Sequence, residues 1–282
     1  MTAPATDSLR VSGATLHHEV RGSGPLLLLI PGGTGGAAAF DGVVDRLAAA
    51  HTVVTYDPRG MSRSTLDDPE AEQHVAEHAD DALRLLDLLS PDAPAKVFGT
   101  SSGAIVALHL LATRPERVER VVAHEPPVVE VLPDVATHRA FLTRVRDTFH
   151  THGLMPAMTV FAAGLKKESD SSEPEARLEL PPQAAARAER TMGDLPYFVG
   201  RIVPSFMAYA PDMDRLRSLA DRLVLAGGRD SESELPWRAT ACLAERLGVP
   251  LQRFPGGHVG LTTHPVAYGE FLEASLRTPA GV

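Results

Sequence analysis

The segment that decides the fold runs from Ala95 to Ala112 and reads AKVFGTSSGAIVALHLLA. Its first four residues are mainly apolar and predict a buried strand, and the Ala- and Leu-rich run after Gly103 predicts a buried helix. Gly99 and Gly103 stand two residues on either side of Ser101, which lets the strand and the helix crowd together around a tight turn. We therefore expect the Ser101 hydroxyl to project from this turn, beside the first N–H groups of the helix.

Strands and helices alternate on both sides of this segment. The region 9–20 predicts a hairpin, and the later strands are apolar on both faces, which is typical of a parallel sheet covered by helices on both sides. The predicted strands after the hairpin are 26–30, 52–56, 95–98, 118–123, 222–226 and 250–254, and the predicted helices are 40–49, 70–89, 104–112, 236–247 and 265–276. Between Pro126 and Arg222 the alternation stops, and that stretch predicts several helices with a polar loop at 166–174.

The last two predicted strands each end in a loop that carries a reactive side chain. Strand 222–226 is followed by GGRDS, which contains Asp230, and strand 250–254 is followed by PGGHVG, which contains His258. Parallel strands end at the same edge of the sheet, where open α/β proteins place their sites. Serine, acid and histidine thus occur in the chain order of a hydrolase triad.

The three side chains have complementary chemical roles. A serine hydroxyl is a weak nucleophile until a base takes its proton, so His258 is the predicted base and proton shuttle for Ser101. Asp230 is the predicted acid that holds the other N–H of the imidazole. Glu125, in the sequence HEP directly after strand 118–123, lies at the same edge and is the alternative acid.

Hydrolysis of an ester also needs N–H donors for the oxyanion. One predicted donor is the backbone N–H of Ser102, directly after the nucleophile. The other is expected from the glycine-rich loop PGGTGG at 31–36, where missing side chains allow close approach; Gly33 is the first choice and Thr34 the second.

Together these motifs resemble the α/β-hydrolase-fold serine hydrolases, of the esterase and lactonase type, over nearly the whole chain. The matching segments are PGG at 31–33, DPRGMSRS at 57–64, GTSSG at 99–103, GRD at 228–230 and GH at 257–258. The resemblance implies an α/β fold with a mostly parallel eight-stranded sheet and helices on both faces. It also implies a core domain of residues 1–126 and 215–282, with a helical cap at 127–214 inserted after the sixth strand.

The sequence departs from this family at one position, and the residue at another position argues against some of the reactions that members of the family catalyse. Many relatives carry histidine where Pro31 stands in the oxyanion loop. Ser101 stands where relatives that open epoxides or carbon–halogen bonds carry aspartate, which argues against those activities. We expect hydrolysis of a small, largely apolar ester or lactone through an acyl-enzyme; perhydrolase chemistry, C–C bond hydrolysis and ligand reception on the same fold stay open.

Aromatic and methionine residues concentrate in the segment 127–214 and predict an apolar acyl pocket. The residues expected to line this pocket are Phe141, Met158, Phe161, Phe198 and Phe206, together with Val259 of the histidine loop. Acidic and basic residues are interspersed along the same segment, so no charged group is expected on the substrate.

A different class of protein also fits part of the sequence. Residues 33–38 match the G-x-G-x-x-A pattern after a strand, and Asp57 follows the next strand, as in NAD(P)-binding Rossmann oxidoreductases. This alternative leaves the serine, acid and histidine loops without a role. The run DPRG at 57–60 is also a turn signal in its own right.

Composition limits the partners and the location. The chain of 282 residues has a formal net charge of −9, which argues against nucleic acid and anionic membranes as partners. Its single cysteine, Cys242, excludes an internal disulfide and fits the reducing cytoplasm. The N-terminal residues do not have the pattern of a signal peptide. We expect a cytoplasmic enzyme that needs no cofactor or metal; the sequence leaves its oligomeric state open.

Overall fold

A computed structural model describes residues 4–165 and 182–277 of the chain. The predicted polar loop at 166–174 lies outside the described residues. None of the helices in the described part combines the length and the hydropathy needed to cross a bilayer.

The centre of the molecule is a single sheet. Its strands are β1 (Ala5–Val11), β2 (Ala14–Arg21), β3 (Leu26–Ile30), β4 (Thr52–Tyr56), β5 (Thr65–Leu66), β6 (Ala95–Thr100), β7 (Val118–His124), β8 (Leu223–Gly228) and β9 (Leu251–Phe254). They are ordered β1-β2-β4-β3-β6-β7-β8-β9, and β5 pairs with β2. The β1–β2 and β2–β4 pairs are antiparallel, whereas every pair from β4 to β9 is parallel. The predicted hairpin and mostly parallel sheet are confirmed, with the two-residue β5 as an addition.

Strand β3 shows why the sheet is covered on both faces. All five of its residues are buried, and successive side chains point to opposite sides of a strand. Leu28 and Ile30 belong to the larger core cluster, on the side of the sheet that also holds buried residues from 79–86 and 104–112. Leu27 and Leu29 belong to a second cluster on the other side, with Phe98. A strand with no polar face can only be stable between two layers of helices.

Helices form those two layers and also most of the segment between β7 and β8. They are α1 (Val44–Ala48), α2 (Val75–Leu89), α3 (Ser102–Thr113), α4 (Val135–His152), α5 (Leu154–Leu165), α6 (Pro182–Tyr197), α7 (Val203–Met207), α8 (Met213–Ser218), α9 (Leu235–Leu247), α10 (Gly260–Thr263) and α11 (Pro265–Leu276). The predicted helix 40–49 is shorter than expected, because a 3-10 turn at Ala37–Phe40 precedes α1. Gly42, between the two, lies so close to Pro265 that a Cβ there would be 2.7 Å from the proline Cβ.

Helices α4 to α8 all lie between β7 and β8, where the predicted alternation stops. A π-helical turn at Phe198–Ile202 joins α6 to α7. Pro196 and Pro204 flank this turn, and neither can donate a backbone hydrogen bond. One backbone N–H group is therefore missing before the π-helical turn and another after it. These gaps favour an irregular pattern of backbone hydrogen bonds at the turn.

A buried ion pair fixes the loop after β4. Arg59 Nε lies 2.7 Å from Asp81 Oδ2, and Arg59 Nη2 lies 2.6 Å from Asp81 Oδ1. The two side chains are only 6% and 1% exposed. Arg59 Nη2 also donates to the carbonyl of Ser12 at 3.2 Å. The pair thus joins α2 and the β1–β2 hairpin to the DPRG turn.

Loss of this pair should destabilise the fold. We expect Asp81→Ala to lower the free energy of unfolding by about 3–5 kcal/mol, because it leaves the buried Arg59 guanidinium with only the half-exposed Glu77, 3.8 Å away, as a counter-charge. Urea denaturation at neutral pH measures the change. The control is Asp80→Ala, which removes a partly exposed carboxylate 3.4 Å from Arg84 and should cost less than about 1 kcal/mol. Equal losses for the two variants would contradict the structural role of the buried pair.

Candidate active site

Ser101 occupies a strained turn between β6 and α3. Its backbone has φ 53° and ψ −122°, a left-handed conformation that is costly for a residue with a side chain. A Cβ at Gly99 would lie 2.4 Å from the carbonyl oxygen of Gly103, and one at Gly103 would lie 2.3 Å from that of Ile30. The two glycines therefore permit a strand–helix contact that larger residues would block. The N–H of Ser101 donates to the carbonyl of His124 at 2.8 Å, which ties the turn to β7.

His258 links the serine to a carboxylate. It lies in the loop between β9 and α10, and its Nε2 is 3.2 Å from Ser101 Oγ. Its Nδ1 is 2.6 Å from Glu125 Oε2. A carboxylate can only accept, so Nδ1 carries the proton and Nε2 is left to accept from the serine hydroxyl. The three side chains form one continuous hydrogen-bonded chain.

Glu125 is completely buried directly after β7, with φ 48° and a backbone N–H that donates to Ala226. Its Oε1 accepts from the Gly228 N–H at 2.7 Å and from the Ser231 hydroxyl. Burial acts to raise the pKa of the Glu125 carboxyl. The hydrogen bond from His258, the electrostatic interactions with the His124 and His258 rings and the hydrogen bond from the Ser231 hydroxyl outweigh burial, so the pKa lies below its usual value. The group is therefore a carboxylate at neutral pH.

The structure corrects the prediction that Asp230 holds His258. Asp230 is exposed, and its backbone N–H donates to the carbonyl of Gly256. The next residue, Ser231, points inward instead and is 1% exposed. The β8 loop therefore contributes a hydroxyl to the site, and the carboxylate comes from the neighbouring strand β7. The signal for Glu125 was its place immediately after a buried strand, which made it the alternative acid.

The loop after β3 lies over the serine turn. A Cβ at Gly32 would be 2.3 Å from the Thr100 carbonyl oxygen, so this backbone lies directly against the turn. The N–H of Gly33 donates to the Ser102 hydroxyl at 3.1 Å. Ser102 is the first residue of α3, so its own N–H has no acceptor within the helix. Two of the predicted oxyanion donors thus lie next to Ser101, and Gly33 already has an acceptor in this state.

A cavity of about 410 Å³ opens above Ser101 and His258. Of the predicted pocket residues, Phe161, Phe198 and Val259 line this cavity, and so do Thr191 and Thr262. Gly33 contributes to the lining and Thr34 does not. No aspartate, glutamate, lysine or arginine is among the described residues that line it.

Three predicted pocket residues lie elsewhere. Phe141 is buried and stacks on Phe161, with ring centroids 6.5 Å apart, so it supports the cavity wall from behind. Phe206 is buried against His78 and lines a small second cavity together with Gly33 and Ser102, whereas Met158 packs against the larger core cluster. None of the three lines the cavity above Ser101, but Phe206 does lie beside the predicted oxyanion donors.

The dinucleotide-binding alternative does not fit the structure. The glycine-rich loop leads into a 3-10 turn, and Asp57 Oδ1 accepts from the Ala37 N–H at 2.8 Å. Asp57 Oδ2 also accepts from Arg63 Nε at 2.6 Å. A carboxylate held in this way fixes a turn and is not directed towards a ribose. The residues described here also bring no group of three His, Cys, Asp or Glu side chains together as a metal site.

His124 lies behind the triad without a polar partner. The imidazole is completely buried, and neither of its ring nitrogens has a hydrogen-bond partner within the described part of the chain. The centroid of the His124 ring lies 5.4 Å from that of Tyr268, 6.0 Å from that of Phe254 and 6.4 Å from that of His258. Burial lowers the pKa of His124 to about 4. Its side chain is therefore neutral in the folded protein above that pH.

The burial of His124 predicts that the folded protein loses stability as the pH falls. An unfolded chain takes up a proton on His124 below about pH 6.5, whereas the folded chain does not until about pH 4. Since the unfolded state binds more protons in this window, stability falls as pH falls, by up to about 1.4 kcal/mol per pH unit. We expect His124→Phe to flatten the decline in unfolding free energy between pH 6.5 and 4, measured by urea denaturation. His74→Phe, at an exposed position, is the control that should leave the slope unchanged; identical slopes for both variants would contradict the assignment.

Comparison with known proteins agrees with this geometry. Residues 25–240 match the family model described as alpha/beta hydrolase fold. The chain is 36% identical over 276 residues to the uncharacterized hydrolase YraK of Bacillus subtilis (strain 168), covering 95% of both chains. It is also 27% identical over 272 residues to a zearalenone hydrolase of Cladophialophora bantiana, again covering 95% of both chains. The chain thus belongs to the α/β-hydrolase family, and it is a hydrolase of this superfamily.

Solved structures share the fold at lower sequence identity. The enol-lactonase from Burkholderia xenovorans LB400 is 17% identical, with a TM-score of 0.68 and coverage of 96% of this chain and 99% of the other. The thermophilic esterase from Thermogutta terrifontis is 17% identical, with a TM-score of 0.71 and coverage of 98% of both chains. The predicted fold class is confirmed.

Proposed function

We propose that this protein is a serine hydrolase that cleaves a small, largely apolar carboxylic ester or lactone through an acyl-enzyme intermediate. The observation that carries the proposal is the hydrogen-bonded chain from Ser101 through His258 to Glu125, open to a cavity whose described lining residues include no aspartate, glutamate, lysine or arginine. A nucleophile, a base and an orienting acid in this arrangement are the requirements for acyl transfer. The substrate is a small molecule because the cavity holds about 410 Å³.

The reaction begins at the serine hydroxyl. His258 Nε2 removes the proton as Ser101 Oγ attacks the carbonyl carbon, and the oxyanion accepts hydrogen bonds from the N–H groups of Ser102 and Gly33. To donate there, the Gly33 N–H must leave the Ser102 hydroxyl, which it contacts in the resting structure. When the intermediate collapses, the imidazolium gives its proton to the leaving alkoxide. Water then attacks the acyl-enzyme, with His258 again acting as base.

Glu125 takes the role that the sequence assigned to Asp230. It accepts a hydrogen bond from the Nδ1–H of His258, which fixes the tautomer, and its negative charge stabilises the imidazolium formed during attack. The Gly228 N–H and the Ser231 hydroxyl hold the other carboxylate oxygen. The acid is therefore fixed in orientation before substrate arrives.

We also propose that residues 127–214 act as a cap over the core formed by 1–126 and 215–282. Phe161 of α5, and Thr191 and Phe198 from α6 and the π-helical turn, form one side of the cavity, while core loops supply Ser101 and His258. Substrate specificity then depends on the inserted helices, and the chemistry depends on the core.

The cytoplasm stays the predicted location. Burial raises the pKa of the Cys242 thiol, as expected for an unreactive cysteine.

The assignment of Glu125 as the acid of the triad predicts that kcat depends on Glu125 and not on Asp230. We expect Glu125→Gln to lower kcat for p-nitrophenyl butyrate by about 10³–10⁴, because the amide favours the wrong tautomer of His258. Asp230→Asn is the matched control and should change kcat by less than about twofold, since its side chain is exposed. Ser101→Ala sets the background rate and should abolish labelling by a fluorophosphonate probe. A large loss for Asp230→Asn with little loss for Glu125→Gln would contradict the proposal.

The absence of charged side chains among the described lining residues predicts a preference for neutral acyl groups. We expect kcat/KM for p-nitrophenyl butyrate to exceed that for an ester of equal length ending in a carboxylate by at least about 100-fold, because burial of an unpaired charge is costly. Zearalenone and simple lactones belong in the same panel, since the chain resembles zearalenone hydrolases, and chromatographic identification of the products distinguishes hydrolysis from other acyl chemistry. Equal rates for charged and neutral esters would contradict this substrate class.

A further inference from the structure

Helix α6 and the π-helical turn after it present two neighbouring faces to the rest of the molecule. Thr191 and Phe198, seven residues apart, lie on the face that lines the catalytic cavity. Asp194, Tyr197 and Arg201 follow helical spacing on the adjacent face and contact the segment between β4 and α2. The same stretch of helix therefore forms a wall of the active site and an attachment to the core.

Asp194 makes the most specific contact on this second face. Its Oδ1 accepts from the backbone N–H of Ser62 at 2.9 Å, and its Oδ2 accepts from the Ser62 hydroxyl at 2.8 Å. Both carboxylate oxygens are thus used by one residue, and hydrogen bonds to an ionised group are stronger than neutral ones. This geometry fixes the position of α6 along the loop as well as its distance from it.

The loop is shaped to receive the helix. Ser62 has φ 52°, a left-handed conformation that is unfavourable for serine and that persists only where surrounding contacts maintain it. At Gly60, which has φ 74°, a Cβ would lie 2.6 Å from the ring of Tyr197. The Tyr197 hydroxyl donates to the carbonyl of Arg59 at 3.1 Å. Because Arg59 is itself held by the buried pair with Asp81, the loop is a fixed platform.

The helix needs such an attachment at this point. Phe198 is the first residue of the π-helical turn, and Pro196 and Pro204 remove backbone donors on either side of it. The backbone hydrogen bonds of the helix therefore define the direction of Phe198 less firmly than in a regular α-helix. Contacts from Asp194, one turn earlier, and from Tyr197, the preceding residue, supply the missing constraint.

We propose that Asp194, through its paired hydrogen bonds to Ser62, is a positioning residue that sets Phe198 and Thr191 against the acyl group and so determines which acyl groups are accepted. Bulky apolar acyl groups, which reach these side chains, depend on Asp194, whereas an acetyl group at Ser101 does not. This inference rests on the proposed hydrolase function of the same cavity.

The test compares large and small substrates in variants of this contact. We expect Asp194→Ala to raise KM for p-nitrophenyl octanoate and lower its kcat/KM by about tenfold or more, since a small displacement of a positioning side chain is costly. The kcat/KM for p-nitrophenyl acetate should stay within about twofold of wild type, because no contact with Ser101 or His258 is removed. Asp194→Asn keeps the shape and one acceptor oxygen, and should restore most of the octanoate activity.

Ser62→Ala provides a second, milder variant, because it removes one of the two hydrogen bonds and keeps the backbone N–H. It should reduce the octanoate-to-acetate ratio less than Asp194→Ala, and the double variant should be no worse than Asp194→Ala alone, as expected for two residues acting through one contact. Asp92→Ala removes an exposed carboxylate from the loop between α2 and β6 and is the charge-matched control. Its ratio should equal that of wild type.

The rate of fluorophosphonate labelling of Ser101 separates the two proposals. Unchanged labelling and acetate turnover with a reduced octanoate-to-acetate ratio support the positioning role. An unchanged ratio in Asp194→Ala overturns that role and leaves the hydrolase proposal intact. An equal loss for both esters, with slower labelling, also overturns it, since the residue then acts only on stability. Failure of the wild-type protein to label or to hydrolyse any ester would instead contradict the proposed function itself. If Asp194→Ala does not fold, the same comparison is made with Ser62→Ala.

Discussion

The site depends on one buried negative charge. Glu125 has no access to solvent, so its ionised form is stable only because three donors surround it: the imidazole of His258, the Gly228 N–H and the Ser231 hydroxyl. These donors come from the β9–α10 loop, the end of β8 and the loop that follows. The same carboxylate therefore brings together the ends of three strands and orients the imidazole towards Ser101. In the proposed mechanism, the stability of this edge of the sheet and the reactivity of the serine thus have a common origin.

The sequence predicts the fold well where a pattern has a single physical solution. A strand such as β3, apolar on both faces, has to be covered on both sides. Glycines two residues before and after Ser101 leave little choice but a crowded strand–turn–helix junction, and in the structure a Cβ at either position would lie less than 3 Å from neighbouring backbone atoms. The position of His258 on a loop after the last strand follows from the same chain order. These features are local, or are determined by the direction of the strands.

The identity of the acid and of the residues that line the pocket could not be predicted from the sequence in this way. Strand order places both Asp230 and Glu125 at the correct edge, but the direction of each side chain depends on the backbone angles of its loop. Glu125 adopts a left-handed conformation that turns it inward, and Ser231 takes the inward direction that the sequence suggested for Asp230. Similarly, Phe161 and Phe206 have the same chemistry in the sequence. Only the packing of the inserted helices makes one a cavity wall and the other part of the core.

The contact between the Gly33 N–H and the Ser102 hydroxyl gives this backbone donor an acceptor within the protein itself. A buried N–H group without an acceptor is unfavourable, and the serine hydroxyl removes that penalty. In the proposed reaction the oxyanion replaces the Ser102 hydroxyl as the acceptor for this N–H group, so no new unpaired donor is buried. The gain on that exchange is the difference between a charged and a neutral acceptor, which favours the transition state of the proposed reaction.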